Sequence, residues 1–247
     1  MPQLLPKLDT PTYELTLPST NKSLKYRPFL VREEKILLMA TESGDRREML
    51  EALKNLISNC VLSDIDVESL PMFDVEYIFL QLRSKSMGET VDLEFKIKSC
   101  EEKDPPCKNT IKTTVNIEDI QIKHTDNHTN KIEITDNISL QMKYPSIGST
   151  PIDSINEDNE EPSVEAVFDT IMNCMEYIID GDNAIPASDC SREELMEFLE
   201  SMTSDQFAKV NEFFGTMPKI SHTLDVVCPD CGATDSITIE GFENFFG

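Results

Sequence analysis

Tryptophan is absent from the 247 residues, and aromatic residues of all kinds make up only 7% of them. A large interface must therefore rest on Phe, Met and Leu, because the Trp anchors common at binding hot spots are missing. Glycine is scarce, at 8 residues. Neither a Gly-rich dinucleotide fingerprint nor a Walker-type phosphate loop occurs, and so few glycines leave little material for a phosphate cradle. Gly-x-Ser-x-Gly and His-Glu-x-x-His are missing too, which removes the common serine-hydrolase and zinc-protease signatures. No catalytic residues are assigned, and no enzymatic activity is expected. No apolar run approaches the roughly 20 residues of a membrane span. Met1 to Leu17 carries Pro and acidic residues where a signal peptide needs a continuous apolar stretch, so the chain is expected to stay in the compartment where it is made. Basic residues are outnumbered, with 22 Lys and Arg against 46 Asp and Glu, a net charge of −24. Such a surface repels phosphate, and no run of Lys and Arg supplies a local basic patch, so no nucleic-acid partner is expected. The excess charge serves solubility and opposes self-association; its sharper use is to steer the chain towards a basic partner.

What is present describes a polar globular chain. Hydrophobic residues make up 39% and charged residues 28%, enough for one large domain or two small ones with a real core. The 7 cysteines are an odd number, which fits free thiols in a reducing compartment, with or without a metal, better than a disulfide framework.

Periodicity gives the element order. Tyr13, Leu15 and Leu17 alternate with polar residues, Pro18 to Lys22 is a turn, and Leu24 and Tyr26 return, which predicts a hairpin. A helical reading begins near Arg32. Asp45, with Glu48 three residues on, predicts the N-cap of a second helix with an apolar stripe at Met49, Leu50, Leu53, Leu56 and Ile57. A third helix is predicted over Asp74 to Ser84, ended by Gly88. The period then switches to two: Val91, Leu93, Phe95 and Ile97, then Ile111, Thr113, Val115 and Ile117, form strands on either side of a loop bounded by Cys100 and Cys107. Further strands are predicted over Lys131 to Thr135 and Ile138 to Tyr144, followed by a helix from Val164 to Ile179. Ser191 with Glu194 and Thr203 with Gln206 read as capping boxes, and Gly215 as a C-cap. Near the end, Leu224 and Val226, then Ile237 and Ile239, repeat the pattern of strand, Cys loop, strand. The tail carries Phe242, Phe245 and Phe246, for which the reading is packing against the body beside the Cys228 hairpin or anchoring to a neighbouring protein. Composition suggests an N-terminal part over 1–147, an acidic linker or loop over 148–163, and a C-terminal part over 164–247, with the two parts joined into one body if a metal ties them. The fold class is α+β: a helical part plus antiparallel hairpins, with a zinc-ribbon-like Cys cluster.

The strongest chemical motif is Cys228-Pro229-Asp230-Cys231-Gly232. Two thiolates two residues apart at a hairpin tip can grip one Zn²⁺, and the following Gly lets backbone N–H groups point at sulfur. A closed site needs four ligands. Cys100 and Cys107 are the natural second pair, since they too lie between alternating strands, although their separation is longer than usual. The candidate metal ligands are thus Cys100, Cys107, Cys228 and Cys231, with Zn²⁺ as the metal. The alternative is that Cys100 and Cys107 are ordinary thiols and the other two a loose pair. Redox chemistry is the weaker reading of Cys228 and Cys231, because Thr234 to Ile239 reads as a strand where a thioredoxin-type motif needs a helix. His124 and His128 fall in a polar loop, His222 at a strand entrance, and Cys174 on an apolar helix as a small buried residue.

Two segments carry a family resemblance. Leu24-Lys25-Tyr26-Arg27-Pro28-Phe29-Leu30-Val31-Arg32-Glu33-Glu34-Lys35 is one; the other runs from Leu70-Pro71-Met72-Phe73-Asp74-Val75-Glu76-Tyr77 through Ile78-Phe79-Leu80-Gln81-Leu82-Arg83 to Ser84-Lys85-Ser86-Met87-Gly88-Glu89. With the two Cys-bounded hairpins in this order, the chain resembles the T4-like bacteriophage baseplate hub protein family over nearly its whole length, most strongly from about residue 9 to 145. The resemblance implies a subunit or assembly factor of the baseplate hub, with other hub proteins as partners, located in the virion tail baseplate or in the host cytoplasm during assembly. It implies no catalytic residues. The rival class is a zinc-ribbon regulator that binds nucleic acid or a polymerase, which the Cys knuckles favour and the acidic charge disfavours.

Overall fold

The computed structural model describes residues 8–96, 100, 110–149 and 163–241. Cys107, Phe242, Phe245, Phe246 and most of the acidic stretch lie outside them. The described residues form six α-helices and several small antiparallel sheets, the α+β class expected. The chain divides into two units that interleave in sequence: residues 1–67, 73–122 and 220–247 form one, and 68–72 with 123–219 form the other.

The first unit opens with the predicted hairpin. Strands β1 (Tyr13–Thr16) and β2 (Ser23–Tyr26) pair antiparallel with Leu15 opposite Leu24. Leu15, Leu17, Leu24 and Tyr26 are buried. Helix α1 (Val31–Ser43) ends at Gly44, whose left-handed φ of 68° an L side chain resists. Helix α2 (Arg46–Cys60) starts where Asp45 accepts hydrogen bonds from the N–H groups of Arg47 and Glu48. Its stripe Leu50, Leu53, Leu56, Ile57 and Cys60 is buried. Helix α3 (Met72–Met87) runs past both predicted ends and buries Val75, Ile78, Phe79, Leu80 and Leu82 on more than one face. Each large side chain removed from water there stabilises the fold by roughly 1.5–3 kcal/mol. Strands β3 (Thr90–Lys96) and β4 (Thr110–Asn116) form the next hairpin, with Leu93 opposite Thr113. Strand β5 (Gln121–Lys123) follows it in the chain.

The second unit is built on a four-stranded sheet in the order β6-β7-β8-β9, from strands Lys131–Glu133, Ile138–Met142, Met175–Asp180 and Asn183–Pro186. Helices α4 (Val164–Cys174), α5 (Arg192–Glu200) and α6 (Ser204–Thr216) belong to it. Ile132, Leu140, Met142, Ile171, Leu199, Val210 and Phe213 make its core. Both predicted capping boxes are present at the starts of α5 and α6. Two boundaries differ from expectation. The helix expected over Val164 to Ile179 stops at Cys174, because Tyr177, Ile178 and Ile179 pair with β7 on one side and β9 on the other. Gly181-Asp182, with φ 57° at Gly181, makes the turn between β8 and β9. Gly215 does not cap α6; the helix runs on to Thr216 and ends where Pro218 forbids continuation.

The last strands, β10 (Lys219–Val227) and β11 (Thr234–Glu240), return to the first unit in a sheet ordered β11-β10-β5. Sheet pairings therefore cross the acidic stretch twice, β7 with β8 and β5 with β10. Cleavage between residues 150 and 162 is expected to leave two fragments that co-elute in native size-exclusion chromatography and part only in denaturant. Fragments that separate in native buffer would contradict these pairings.

Candidate functional site

The sequence places the knuckle at the tip of the β10–β11 hairpin. Val227 opposite Thr234 is the last pair of the ladder. Beyond it Cys228 N–H donates to the Ala233 carbonyl at 2.7 Å and Gly232 N–H to the Cys228 carbonyl at 2.9 Å. Gly232 takes φ 68°, a conformation that favours glycine, as the motif required. This turn brings Cys228 and Cys231 to one side, and Cys100 arrives from beyond the end of β3. The three sulfur atoms all lie within 4.8 Å of one another. Cys100 and Cys231 are 3.5 Å apart across 131 positions of sequence. Two sulfurs on a tetrahedral zinc at 2.3 Å each would stand about 3.8 Å apart. Three of the four expected ligands are therefore gathered at metal-binding range, and they can hold a metal ion. The fourth, Cys107, lies outside the described residues.

The surroundings suit thiolate. Cys228 is brought down to about 7, first by the backbone N–H groups of Cys231 and Asp230 aimed at its sulfur, then by hydrogen bonds from the neighbouring thiols. Cys100 is pushed up to about 12 by burial and by its hydrogen bonds with Cys231 and Cys228. Negative charge in the cluster thus gathers on Cys228, and a divalent cation would let its neighbours ionise as well. Cys100 and Cys228 are buried with Val226 and Ala233, and Ile111, Leu224 and Ile237 pack around them. The other described cysteines stand apart from the cluster. Burial pushes the Cys60 thiol up to about 11 and the Cys174 thiol up to about 12, as small buried apolar residues. His222 sits in β10 opposite Ile239 and is not among the clustered ligands.

The two segments that carry the resemblance meet in the first unit. Phe29 N–H donates to Ser86 Oγ at 2.9 Å, and Ser86 in turn donates to the Leu82 carbonyl. Asp74 has no exposed surface; it accepts from the Ser19 N–H at 3.1 Å and from the Ser19 hydroxyl, tying α3 to the first hairpin's turn. Arg27 donates to Glu33 at 3.1 Å and to the Asn59 carbonyl, clamping the start of α1 to the end of α2. Glu33 is itself buried and also accepts from Leu30 N–H at 2.7 Å. Burial raises the Glu33 carboxyl, but its bonds to Arg32, Arg27 and Leu30 outweigh that and hold it below its ordinary range. These residues hold helices in place.

Fold and site together define an α+β protein of small antiparallel sheets in which three cysteine thiols lie close together. The chain belongs to the T4 bacteriophage base plate protein family, whose model matches residues 10–247. It is 23% identical over 234 residues to the baseplate hub assembly protein gp26 of Enterobacteria phage T4, covering 95% of this chain and 97% of that protein. The family resemblance read from the sequence therefore holds. No solved structure matches the chain significantly. No helix among the described residues is long and apolar enough to cross a membrane.

His128 is the residue whose surroundings the sequence did not reveal. It is half-buried rather than solvated in a polar loop. Thr216 donates its hydroxyl proton to the Glu212 carbonyl at 2.7 Å, so it must accept from His128 Nδ1–H at 3.0 Å. Nε2 hydrogen-bonds with the Tyr144 hydroxyl at 3.1 Å, accepting from it when the ring is neutral. The ring also stacks on Tyr144, with centroids 5.5 Å apart. Burial holds the His128 pKa below its ordinary value and so favours the neutral ring, outweighing a hydrogen bond with Asn130 that raises it. The folded state therefore binds fewer protons than the unfolded state. The stabilisation is complete above the ordinary pKa of about 6.5 and is lost as pH falls through the lower folded value. Urea titrations of the native chain and of His128→Gln should show the native chain losing more stability on acidification through that range. Equal losses would contradict the assignment.

Proposed function

We propose that the chain is a structural or assembly component of the baseplate hub of a contractile phage tail, acting through contacts with other hub proteins and without catalysis. The end-to-end correspondence with the hub assembly protein of phage T4, 95% of one chain on 97% of the other, carries this reading. Interactions that fix one helix against another, rather than a reacting constellation, are what the two resemblance segments supply. The chain would act in the host cytoplasm during assembly or in the tail baseplate itself. Its net charge of −24 argues against nucleic acid as the partner. The test is assembly in the phage's own host with the gene for this chain disrupted. Tails should then lack a complete hub, and the intact gene supplied in trans should restore it. Complete hubs formed in its absence would overturn the reading.

We further propose that Cys100, Cys107, Cys228 and Cys231 bind one structural Zn²⁺. The knuckle geometry, the close approach of Cys100 and the low-pKa Cys228 support this. Purified protein is expected to contain about one zinc per chain, consistent with a single tetrahedral site. Cys228→Ser or Cys231→Ser should release the metal and lower stability by an amount on the order of several kcal/mol. Metal-free protein of unchanged stability would defeat the proposal.

A further inference from the structure

Helix α1 leaves apolar surface in the open. Of the twelve large hydrophobic side chains exposed among the described residues, five fall in one stretch: Leu30, Val31, Ile36, Leu38 and Met39. The helix buries Glu33, Leu37 and Ala40 on its inner side. On the outer side Val31 is 79% exposed, Leu38 55% and Met39 59%. The Phe29–Ser86 hydrogen bond brings exposed Met87 near the same end of the helix. Single exposed apolar residues are ordinary, whereas a contiguous patch marks an interaction site.

The pattern of charge on this face selects the occupant. The chain as a whole carries −24, but the outward face of α1 sets one basic residue, Lys35, against one acidic residue, Glu42, so that face is balanced. Glu33 is turned inward to Arg27 and Arg32. Val31, Lys35, Leu38, Met39 and Glu42 share the outward face at helical spacing. Lys35 lies one turn before the Leu38–Met39 level, and Glu42 one turn after it. An antiparallel copy of the helix, related by a two-fold axis at that level, would set apolar side chains against each other in the middle. It would also place each Lys35 opposite the Glu42 of the other copy. We propose that the outward face of α1 is a self-complementary docking surface for a second copy of this chain. Elsewhere like charge keeps copies apart; on this face it does not. The proposal is independent of the hub assignment, since it rests on α1 alone.

The test is sedimentation of the full chain over a concentration series at about 0.15 M ionic strength, where the screening length is ~8 Å. The native chain should form a concentration-dependent dimer. Leu38→Glu should abolish it while leaving helix content and melting unchanged. Lys35→Glu and Glu42→Lys should each weaken the dimer by roughly tenfold, since symmetry creates two like-charge contacts. The combined Lys35→Glu/Glu42→Lys chain should recover it, because the pairs are then opposite again with reversed sign. A monomer at all concentrations, a dimer that survives Leu38→Glu, or a combined variant as weak as the single ones would each overturn the proposal. Should Leu38→Glu disturb the fold, the charge-swap series decides alone.

Discussion

Cys100 and Cys231 lie 131 positions apart in the chain and 3.5 Å apart in space. Bringing such distant segments together carries a loop-closure cost; among the described residues, Val226 and Ala233 are buried with the cysteines, and Ile111, Leu224 and Ile237 pack at the margin. Two-stranded hairpins are marginal in water by themselves. Strands β3 and β4 form such a two-stranded sheet, and the proposed metal, held by thiols, would add a restraint that packing supplies only in part. The glycine turn, the N–H groups aimed at Cys228 and the approach of Cys100 all serve that one cluster.

Away from the thiols, the first unit is organised by α3. Its buried Asp74 holds the turn of the first hairpin, and its Ser86 receives the chain as it enters α1. Arg27 and Glu33 then set α1 on the end of α2. A buried carboxylate or ion pair is a poor source of net stability, but removing one partner leaves a costly unpaired group. Such contacts fix one arrangement of the helices against alternatives. They also give the two resemblance segments a physical meaning: the segments are the two sides of one joint.

Much of this was legible in the residues. The period-two strands, the Asp45 cap and the capping boxes at Ser191 and Thr203 are local signals, and the structure has them where the sequence put them. The knuckle was legible because its glycine and cysteine spacing is itself a geometry. The helix expected over Val164 to Ile179 failed at Met175. Its apolar residues satisfy either period, and the choice was made by pairing with β7, a contact between distant segments. The Gly181-Asp182 turn, inside Asp180-Gly181-Asp182-Asn183, was the signal that could have shown it. The surroundings of His128 were hidden for a related reason: its partners Tyr144 and Thr216 lie 16 and 88 positions away, and no local pattern announces them. The interleaving of the two units was hidden too, because β10 returns to β5 after the whole second unit has been laid down.

The proposed zinc site draws thiols from both Cys-bounded hairpins to one metal. X-ray absorption at the zinc edge of the purified chain measures this most directly, by counting sulfur neighbours and their distance. The account predicts a shell of four sulfurs at about 2.3 Å, falling to three in Cys100→Ser and in Cys107→Ser as in Cys228→Ser. A zinc shell of nitrogen and oxygen, or one unchanged by Cys100→Ser, would contradict it.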